Sequence, residues 1–208
     1  MGPVTIRNFA APADAMLWDL CWDGRALWAS GAQNNALYQI DPVSGAVVRT
    51  IGVATGNPAG VAWDGRALWY ADITTDLLYR VDPSSEIATY AVALPGSDQP
   101  LGATFDGQRF WLCDGNTQLI YQFDAVSGAV TKSFAAPSTD SAGIAWDGAY
   151  LWHTDYNTER IYQIDPNTGT IKSNLAAPTA TGTGLAWDGR TLWYMDYTAQ
   201  RIYQMAVV

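Results

Sequence analysis

A short motif, an aromatic residue followed by aspartate and glycine, recurs along this chain at nearly constant spacing. It begins at positions 22, 63, 105, 146 and 187, so the intervals are 41, 42, 41 and 41 residues. Five units of this length account for the whole chain of 208 residues. A fixed period of about 20 to 50 residues is the sequence signature of a repeat architecture. The chain must therefore be interpreted as repeats before any single motif is considered.

The second unit, residues 60–95, shows what one repeat contains. In its third run, 78–81, apolar and polar residues alternate, which indicates a half-exposed strand. The predicted strands are 61–63, 67–70, 78–81 and 87–94. Asp64-Gly65 lies between the first two strands, and Asp-Gly in this setting predicts a hairpin with a type I′ turn. Asp82-Pro83 with two serines marks the next turn, because these residue types favour turn conformations.

Four antiparallel strands in about 40 to 45 residues are typical of a β-propeller blade. Blades arranged around a channel leave only short sheet edges, whereas an open stack would expose edges that promote aggregation. The sequence therefore predicts an all-β fold, a five-bladed β-propeller of four-stranded antiparallel blades. We interpret residues 1–208 as a single domain. The blades are predicted at about 19–58, 60–95, 102–137, 143–178 and 184–208.

The two ends of the chain predict how the ring closes. The last unit stops after its third strand, without a turn and a fourth strand. The segment 4–9, followed by Ala-Ala-Pro, is similar to the fourth strand of the fourth unit at 170–175, which Ala-Ala-Pro also follows. Residues 4–9 are therefore predicted to complete the last blade, so that non-covalent pairing of the termini closes the ring.

Charge and composition argue against several classes of function. The formal net charge is −9, with 11 Lys and Arg residues against 20 Asp and Glu residues. Nucleic acids and anionic membrane surfaces require clustered cations, so we expect neither as a partner. The chain has no apolar run long enough to span a bilayer, and its first residues lack the apolar core of a signal peptide. We expect a soluble monomer, and the sequence does not assign it to a cellular compartment.

The cysteines and the single histidine give little support for a metal site or a redox site. Cys21 and Cys113 fall in apparent strands of non-adjacent units, so we expect two free and mostly buried thiols. One histidine and two cysteines are too few for a zinc site, which usually has four protein ligands, or three and a water.

The unit W-D-G-x-x-L-W-x-x-D…[IL]-Y-x-[IVF]-D-P resembles the blades of several propeller families. These are the YWTD repeats of lipoprotein receptors, the NHL repeats, the streptogramin lyases and the regucalcin/gluconolactonase group. The resemblance covers the entire chain, and it implies the shape of a blade rather than a reaction. In the gluconolactonase group it implies a divalent metal held by Glu, Asn and Asp at the tops of inner strands. Only Asp19 occupies such a place here.

The number of blades also makes the chain similar to the glutamine cyclotransferases. That family uses a Glu near the start of an inner strand. The matching positions of this sequence hold Asp19, Gly60, Gly102, Gly143 and Gly184. Because none of them is Glu, the resemblance does not extend to that activity.

Repetition separates scaffold residues from candidate site residues. Nine of the ten tryptophans occupy two repeated positions, the turn and the second strand, which predicts packing between blades. The alternative is a lectin with five equivalent aromatic sites for sugars. Aspartates that recur after the second strand are interpreted as loop caps, with metal binding as the alternative. They are Asp72, Asp114, Asp155 and Asp196.

Histidine and serine residues do not indicate a hydrolase. His153 occupies a place held in the other units by Ala29, Tyr70, Leu112 and Tyr194, which predicts a structural histidine rather than a general base. The sequence has no Gly-x-Ser-x-Gly elbow, and its serines are interpreted as turn residues, so a Ser-His-Asp set is not supported.

Residues outside the repeat pattern mark the candidate site. Trp18 is the tryptophan at neither repeated position, and Asp19 is the one non-glycine at its place. An indole beside a carboxylate at the channel mouth would combine an apolar platform with a polar anchor. The alternative is that Trp18 plugs the ring or seals its closure. Polar loops on the same face, here named the top face, add further candidates. The predicted ligand-binding residues are Trp18, Asp19, Asp98, Gln99, Asp140, Tyr156 and Tyr197.

The preferred interpretation is a binding propeller whose top face takes a small molecule, a glycan or a protein at the central channel, without a cofactor. One alternative is an enzyme of the lactonase or lyase kind with Ca²⁺ in the channel, since Ca²⁺ takes about six to eight oxygen ligands that Asp, Asn and carbonyl groups provide. Two others are a lectin-like glycan binder and a natural or engineered scaffold selected for its fold alone. No catalytic residue is assigned.

Overall fold

The computed structural model describes residues 3–14, 16–54, 56–94 and 99–207. In this part of the chain, twenty β-strands form five separate four-stranded antiparallel sheets. Within the same residues no helix is long and apolar enough to cross a membrane. The predicted fold class, a five-bladed β-propeller, is confirmed.

The strands follow the repeat, with the innermost strand of each blade first in sequence. Strand β1 is Val4–Ala10. Blade 1 contains β2 (Leu17–Trp22), β3 (Leu27–Gly31), β4 (Ala36–Ile40) and β5 (Val47–Gly52). Blade 2 contains β6 (Pro58–Trp63), β7 (Leu68–Asp72), β8 (Leu77–Asp82) and β9 (Ile87–Ala93). Blade 3 contains β10 (Pro100–Phe105), β11 (Phe110–Asp114), β12 (Leu119–Phe123) and β13 (Val130–Ala135). Blade 4 contains β14 (Ser141–Trp146), β15 (Leu151–Asp155), β16 (Arg160–Ile164) and β17 (Ile171–Ala176). Blade 5 contains β18 (Gly182–Trp187), β19 (Leu192–Asp196) and β20 (Arg201–Ala206), and β1 is its fourth strand.

The predicted ring closure is confirmed. Strand β1 pairs antiparallel with β20, from Val4 opposite Ala206 to Ala10 opposite Arg201. The Phe9 ring contacts the Trp193 ring, with 5.9 Å between their centroids. Beyond the strand, the Ala11 amide donates to the Gln200 carbonyl at 2.8 Å. The first strand of the chain therefore covers what would otherwise be the open outer edge of blade 5.

The turn between the first two strands differs in detail from the prediction. A hairpin does form, but its connection is four residues long, for example 23–26 between β2 and β3. Gly24 has a φ of 94°, whereas Asp23 does not have positive φ as a type I′ turn would require. Instead, Asp23 Oδ1 accepts hydrogen bonds from the Arg25 and Ala26 amides at 2.8 and 2.7 Å. The aspartate side chain thus replaces part of the backbone geometry of the turn.

The same aspartate orients the tryptophan of the second strand. In blade 1, Trp28 Nε1 donates to Asp23 Oδ2 at 2.7 Å, and the corresponding bond occurs in all five blades at 2.7 to 2.9 Å. Each of these indoles then packs against the next blade, as Trp28 does against Val61 and Leu68. This tryptophan therefore packs between blades, as predicted.

The inner strands approach the ring axis so closely that side chains are excluded there. A Cβ placed on Gly143 would lie 2.5 Å from the Thr183 carbonyl oxygen, and one on Gly102 would lie 2.6 Å from that of Ala142. These contacts are with backbone atoms, which cannot move aside as a flexible side chain would. The glycines at this place in the inner strands of blades 2 to 5 are therefore required by backbone packing; they are Gly60, Gly102, Gly143 and Gly184.

Candidate functional site

A cavity of about 290 Å³ opens on the top face, between blades 3, 4, 5 and 1. Its size is near the lower end of the range of about 300 to 1,000 Å³ that is usual for small-molecule sites. The described residues that line it are Trp18, Gln99, Leu101, Gly115, Asp140, Ser141, Ala142, Tyr156, Thr183 and Tyr197. We name it the top cavity. It lies at the mouth of the ring, and blade 2 contributes nothing to this lining.

The structure brings five of the seven predicted site residues together in this cavity: Trp18, Gln99, Asp140, Tyr156 and Tyr197. Asp19 is fully buried and does not belong to the lining. Asp98 lies outside the described residues. Trp18 lies near the start of β2, and the other four residues come from connections that reach the same face of the ring.

Two aromatic rings form one wall of the top cavity. Trp18 and Tyr197 are stacked, with 6.3 Å between ring centroids and 15° between ring planes. The Trp18 Nε1 group is buried and has no hydrogen-bond partner within the described chain. Trp18 precedes the axial residue Asp19, and Tyr197 begins the loop after β19, so blades 1 and 5 each supply one ring. An indole donor without a partner beside a cavity is unusual, because buried polar groups are normally hydrogen-bonded.

The loop-capping aspartates hold the edges of the cavity in place. Asp114 Oδ2 accepts a hydrogen bond from the Gln99 amide at 2.9 Å, and its Oδ1 accepts from the Asn116 and Thr117 amides at 3.0 and 2.6 Å. One carboxylate therefore joins the two loops of blade 3 that supply Gln99 and Gly115. These bonds match the predicted capping role of the repeated aspartates.

Blade 1 lacks this aspartate and uses another in its place. Gly31 stands at the position, and a Cβ there would lie 2.4 Å from Asp14 Oδ2. Asp14 is buried, and its carboxylate accepts bonds from the Asn34 amide at 3.1 Å and from the Tyr38 hydroxyl at 3.1 Å. A residue of the preceding loop thus supplies the cap, and the glycine makes room for it.

Asp19 lies below the top cavity, on the ring axis. Its Oδ2 accepts hydrogen bonds from the Ala103 and Val61 amides at 2.9 and 3.0 Å, and its Oδ1 accepts from the Leu185 amide at 3.3 Å. Burial raises the pKa of the Asp19 carboxyl well above its usual value, and these backbone donors act in the opposite direction. The side chain therefore connects the inner strands of blades 1, 2, 3 and 5 and is already occupied by protein donors.

The donors around Asp19 do not fit a divalent metal in the channel. A carboxylate that accepts several N–H groups sits in a locally positive environment, which opposes a cation. Among the described residues, no group of three or more His, Cys, Asp or Glu side chains is placed to hold a metal ion. We therefore derive no chemical step through a metal at this site.

A serine and the histidine meet beneath the top cavity. Ser141 begins β14 instead of lying in a turn, and its Oγ is 3.3 Å from His153 Nε2. His153 Nδ1 and Asp155 Oδ2 are buried without a hydrogen-bond partner in the described chain. Sequence reasoning missed Ser141, although the other units carry Leu17, Pro58, Pro100 and Gly182 at its place, so its polarity was a visible signal.

This pair is suited to hydrogen bonding rather than to nucleophilic catalysis. Burial lowers the pKa of His153 to about 4, although Asp155 and the Gly143 backbone act in the opposite direction. A general base works best with a pKa near the operating pH, and a value of about 4 leaves little driving force to deprotonate a serine. Asp155 does not complete a triad, because its free Oδ2 makes no bond to Nδ1. The predicted structural role of His153 agrees with this geometry.

Burial of His153 leads to a prediction about how the unfolding free energy depends on pH. The pKa of His153 is near 6.5 in the unfolded chain and about 4 in the folded protein, so the unfolded state binds more protons between these values. The stability associated with neutral His153 is present above pH 6.5 and is lost as the pH falls toward 4. Over this window we expect the wild-type protein to lose about 3 kcal/mol of unfolding free energy relative to His153→Leu.

Urea denaturation of both proteins at pH 7, 5.5 and 4 measures this difference. Leucine is the residue that blade 3 carries at the same place, so the variant is a conservative repacking. Titration of Asp19 cancels in the comparison because both proteins contain it. Parallel stability profiles for the two proteins would contradict a buried neutral imidazole.

The repeated turn aromatics gather on the opposite face, which we name the bottom face. Trp22, Trp63, Phe105, Trp146 and Trp187 all line one cavity of about 90 Å³. Each is partly buried against a hydrophobic cluster. A shared opening of this size is far smaller than a usual ligand site. The turn aromatics thus converge on one opening and do not form five separate sugar-stacking platforms.

The cysteines are free and buried, as predicted. Burial raises the pKa of both thiols, with further contributions from Asp19. Cys113 Sγ donates to the Ala142 carbonyl at 2.9 Å, so it contributes to contact between blades 3 and 4. Neither thiol is a reactive group under these conditions, since reactive cysteines have lowered pKa values and solvent access.

Solved structures of low sequence identity share the fold. The chain aligns with glutaminyl cyclase of Myxococcus xanthus at a TM-score of 0.84 and 16% identity, covering 99% of this chain and 97% of that one. It aligns with a catalytically inactive variant of virginiamycin B lyase from Staphylococcus aureus at a TM-score of 0.61 and 17% identity, covering 94% and 68%. A chain of the nidogen/laminin complex gives 0.63 and 18%, covering 86% and 72%. At these sequence identities the similarity shows a shared fold and nothing further.

Sequence comparison supplies the family. No curated protein matches the sequence. The profile described as SMP-30/Gluconolactonase/LRE-like region matches residues 57–208, which include blades 2 to 5 apart from β1. The resemblance that the repeat motif carries is confirmed. The chain belongs to the SMP-30/gluconolactonase/LRE-like family.

Proposed function

We propose that the protein is a binding propeller and that the top cavity takes a small organic molecule. The observation that carries this proposal is that Trp18, which forms part of the cavity wall, breaks the repeat. Trp18 stands where the other blades have Ala59, Leu101, Ala142 and Thr183. A structural requirement of the ring would recur in every blade, whereas a binding site needs an asymmetric set of groups.

The lining combines features of ligand sites. It contains three aromatic side chains from different blades and a few polar groups, and small-molecule sites are usually apolar with a small number of placed polar groups. Its polar side chains differ in accessibility. Gln99 and Asp140 are exposed at the rim, whereas Ser141 and Thr183 are buried at the inner end. A ligand would thus find hydrogen-bonding groups at both ends of the cavity and apolar surface between them.

Binding is favoured over catalysis by the chemistry of the groups present. The carboxylate nearest the axis is bonded to backbone amides, and the histidine beneath the cavity is a weak base. The enzyme names of the glutaminyl cyclase and lyase structures belong to proteins that share the fold at 16% and 17% identity. A metal-dependent lactonase or lyase stays the alternative hypothesis, and it makes a separate prediction.

A thermal-shift screen of a small-molecule library, followed by calorimetric titration of the hits, tests the proposal. Removing one stacked aromatic ring costs about 1 to 2 kcal/mol, so we expect binding to weaken about tenfold or more in Trp18→Ala and in Tyr156→Ala. Tyr156 is 39% exposed, so its variant should fold even if Trp18→Ala does not. Tyr90→Ala is the matched control, since Tyr90 is 42% exposed on the outer strand β9.

Two results would contradict the proposal. One is a set of hits whose affinity is the same in the wild type and in both cavity variants. The other is a melting temperature that rises with Ca²⁺ and returns with a chelator, because a ligand that binds only the folded state stabilises it. That second result would favour the metal-dependent enzyme.

A further inference from the structure

The described lining of the top cavity presents aromatic faces and one carboxylate, with no cationic side chain beside it. Trp18 and Tyr197 are stacked, and Tyr156 is a third ring in the same lining. Neither tyrosine hydroxyl has a hydrogen-bond partner within the described part of the chain. The rings are thus not engaged by internal polar contacts that would explain their placement at the mouth.

Asp140 is the one ionised group in the described lining. It is exposed, and its carboxylate forms no hydrogen bond or ion pair with the residues that the structure describes. The ion pairs of those residues join Arg49 to Glu86, Arg80 to Asp64 and Arg109 to Asp124, all outside the cavity. Its described lining residues include no lysine or arginine. With a formal net charge of −9, the protein attracts cations to this opening and repels anions.

The polar groups at the inner end of the cavity are few and partly engaged. Ser141 Oγ lies 3.3 Å from His153 Nε2, and Thr183 Oγ1 donates to the Leu17 carbonyl at 3.4 Å. An alkylated ammonium group needs few partners, and it is attracted to ring faces and to a carboxylate.

We propose that the ligand of the top cavity is a small organic cation with an alkylated ammonium group. The inference rests on the proposed function, and it specifies the chemical class of the ligand. Trp18, Tyr156 and Tyr197 would surround the alkyl groups, and Asp140 would offset the charge. Recognition of quaternary ammonium groups by aromatic side chains is a common use of cation–π attraction.

Calorimetric titration with choline tests the proposal against its neutral analogue, in which a carbon atom replaces the ammonium nitrogen. The two molecules have nearly the same shape, so their difference in affinity isolates the charge. We expect choline to bind about tenfold more tightly than the analogue. Asp140→Asn should weaken choline binding about fivefold and leave the analogue unchanged. Raised salt should reduce choline binding, because exposed charges are screened.

Asp76→Asn is the matched control for Asp140→Asn. It makes the same chemical change on the same face, in the loop of blade 2 that does not reach the cavity. Asparagine also tolerates the φ of 54° at this position. We expect choline affinity in Asp76→Asn to equal that of the wild type. An equal loss in both variants would mean that only the overall charge matters, which overturns the proposed contact with Asp140.

The outcomes separate this inference from the proposed function. If choline and its analogue bind equally, or if the ligands lost on Tyr156→Ala are neutral or anionic, the ammonium inference is overturned and the binding function stands. If no ligand of any kind depends on the cavity residues, both are overturned. Tighter binding of choline that depends on Tyr156 and Asp140 supports both.

Discussion

Deleting residues 1–10 is expected to lower the free energy of unfolding by roughly 5 kcal/mol and to produce oligomers. The deletion removes the pairing of β1 with β20 and the contact of Phe9 with Trp193. Several lost hydrogen bonds at about 1 kcal/mol each and one lost partly buried aromatic side chain add to this magnitude. The exposed edge of β20 would then offer unpaired backbone groups to another chain. Urea denaturation and size-exclusion chromatography measure the two effects.

A circular permutant is the matched control for the deletion. It would begin at residue 11, continue to residue 207 and then carry residues 3–10 after a short glycine-containing linker. Because Val4 is opposite Ala206, the two strands can be joined as a hairpin. We expect the permutant to be monomeric and close to wild-type stability. A truncated protein that is as stable and as monomeric as the permutant would show that pairing of the termini does not hold the ring closed.

Asp19→Ala is expected to have the second largest effect, a loss of roughly 4 kcal/mol in unfolding free energy. The substitution leaves the Val61, Ala103 and Leu185 amides without their acceptor at a site that is fully buried. An unsatisfied buried donor costs about 1 to 3 kcal/mol, and the desolvation cost of the Asp19 side chain, which is no longer paid, offsets part of the sum. Thermal and chemical denaturation measure the loss.

Asp140→Ala separates this effect from the loss of any carboxylate. Asp140 is exposed and makes no side-chain bond to the described residues, so its removal should change stability by less than about 0.5 kcal/mol. If Asp19→Ala were no more destabilising than Asp140→Ala, the axial hydrogen bonds would not contribute to the fold.

The ring and its closure follow from the sequence because a repeat must bury the same surface five times. The Asp-Gly motif predicts a hairpin, but the turn type depends on the aspartate side chain. That side chain bonds the amides of residues 25 and 26 and, through its other oxygen, the indole of Trp28. The constant spacing of five residues between this aspartate and this tryptophan was the available signal for the second bond.

The candidate site could be predicted only in part. Trp18, which breaks the repeat near the start of β2, lines the top cavity together with the loop residues Asp140 and Tyr156. Asp19 breaks the repeat equally clearly, yet it lies beneath the cavity, because alternation along β2 and the narrow axis direct its side chain to neighbouring backbones. Sequence alone cannot distinguish a residue that fits a ligand from one that fits the axis, since both are unique in the repeat.

The packing at the ring axis determines whether a small molecule can pass through the centre of the propeller. The layer formed by Asp19 and the four glycines of the inner strands lies between the top cavity and the small opening on the bottom face. Molecules cannot pass from one side of the disc to the other along its centre. A ligand that enters beside Trp18 must therefore leave through the same opening, so the loops of the top face control both binding and release.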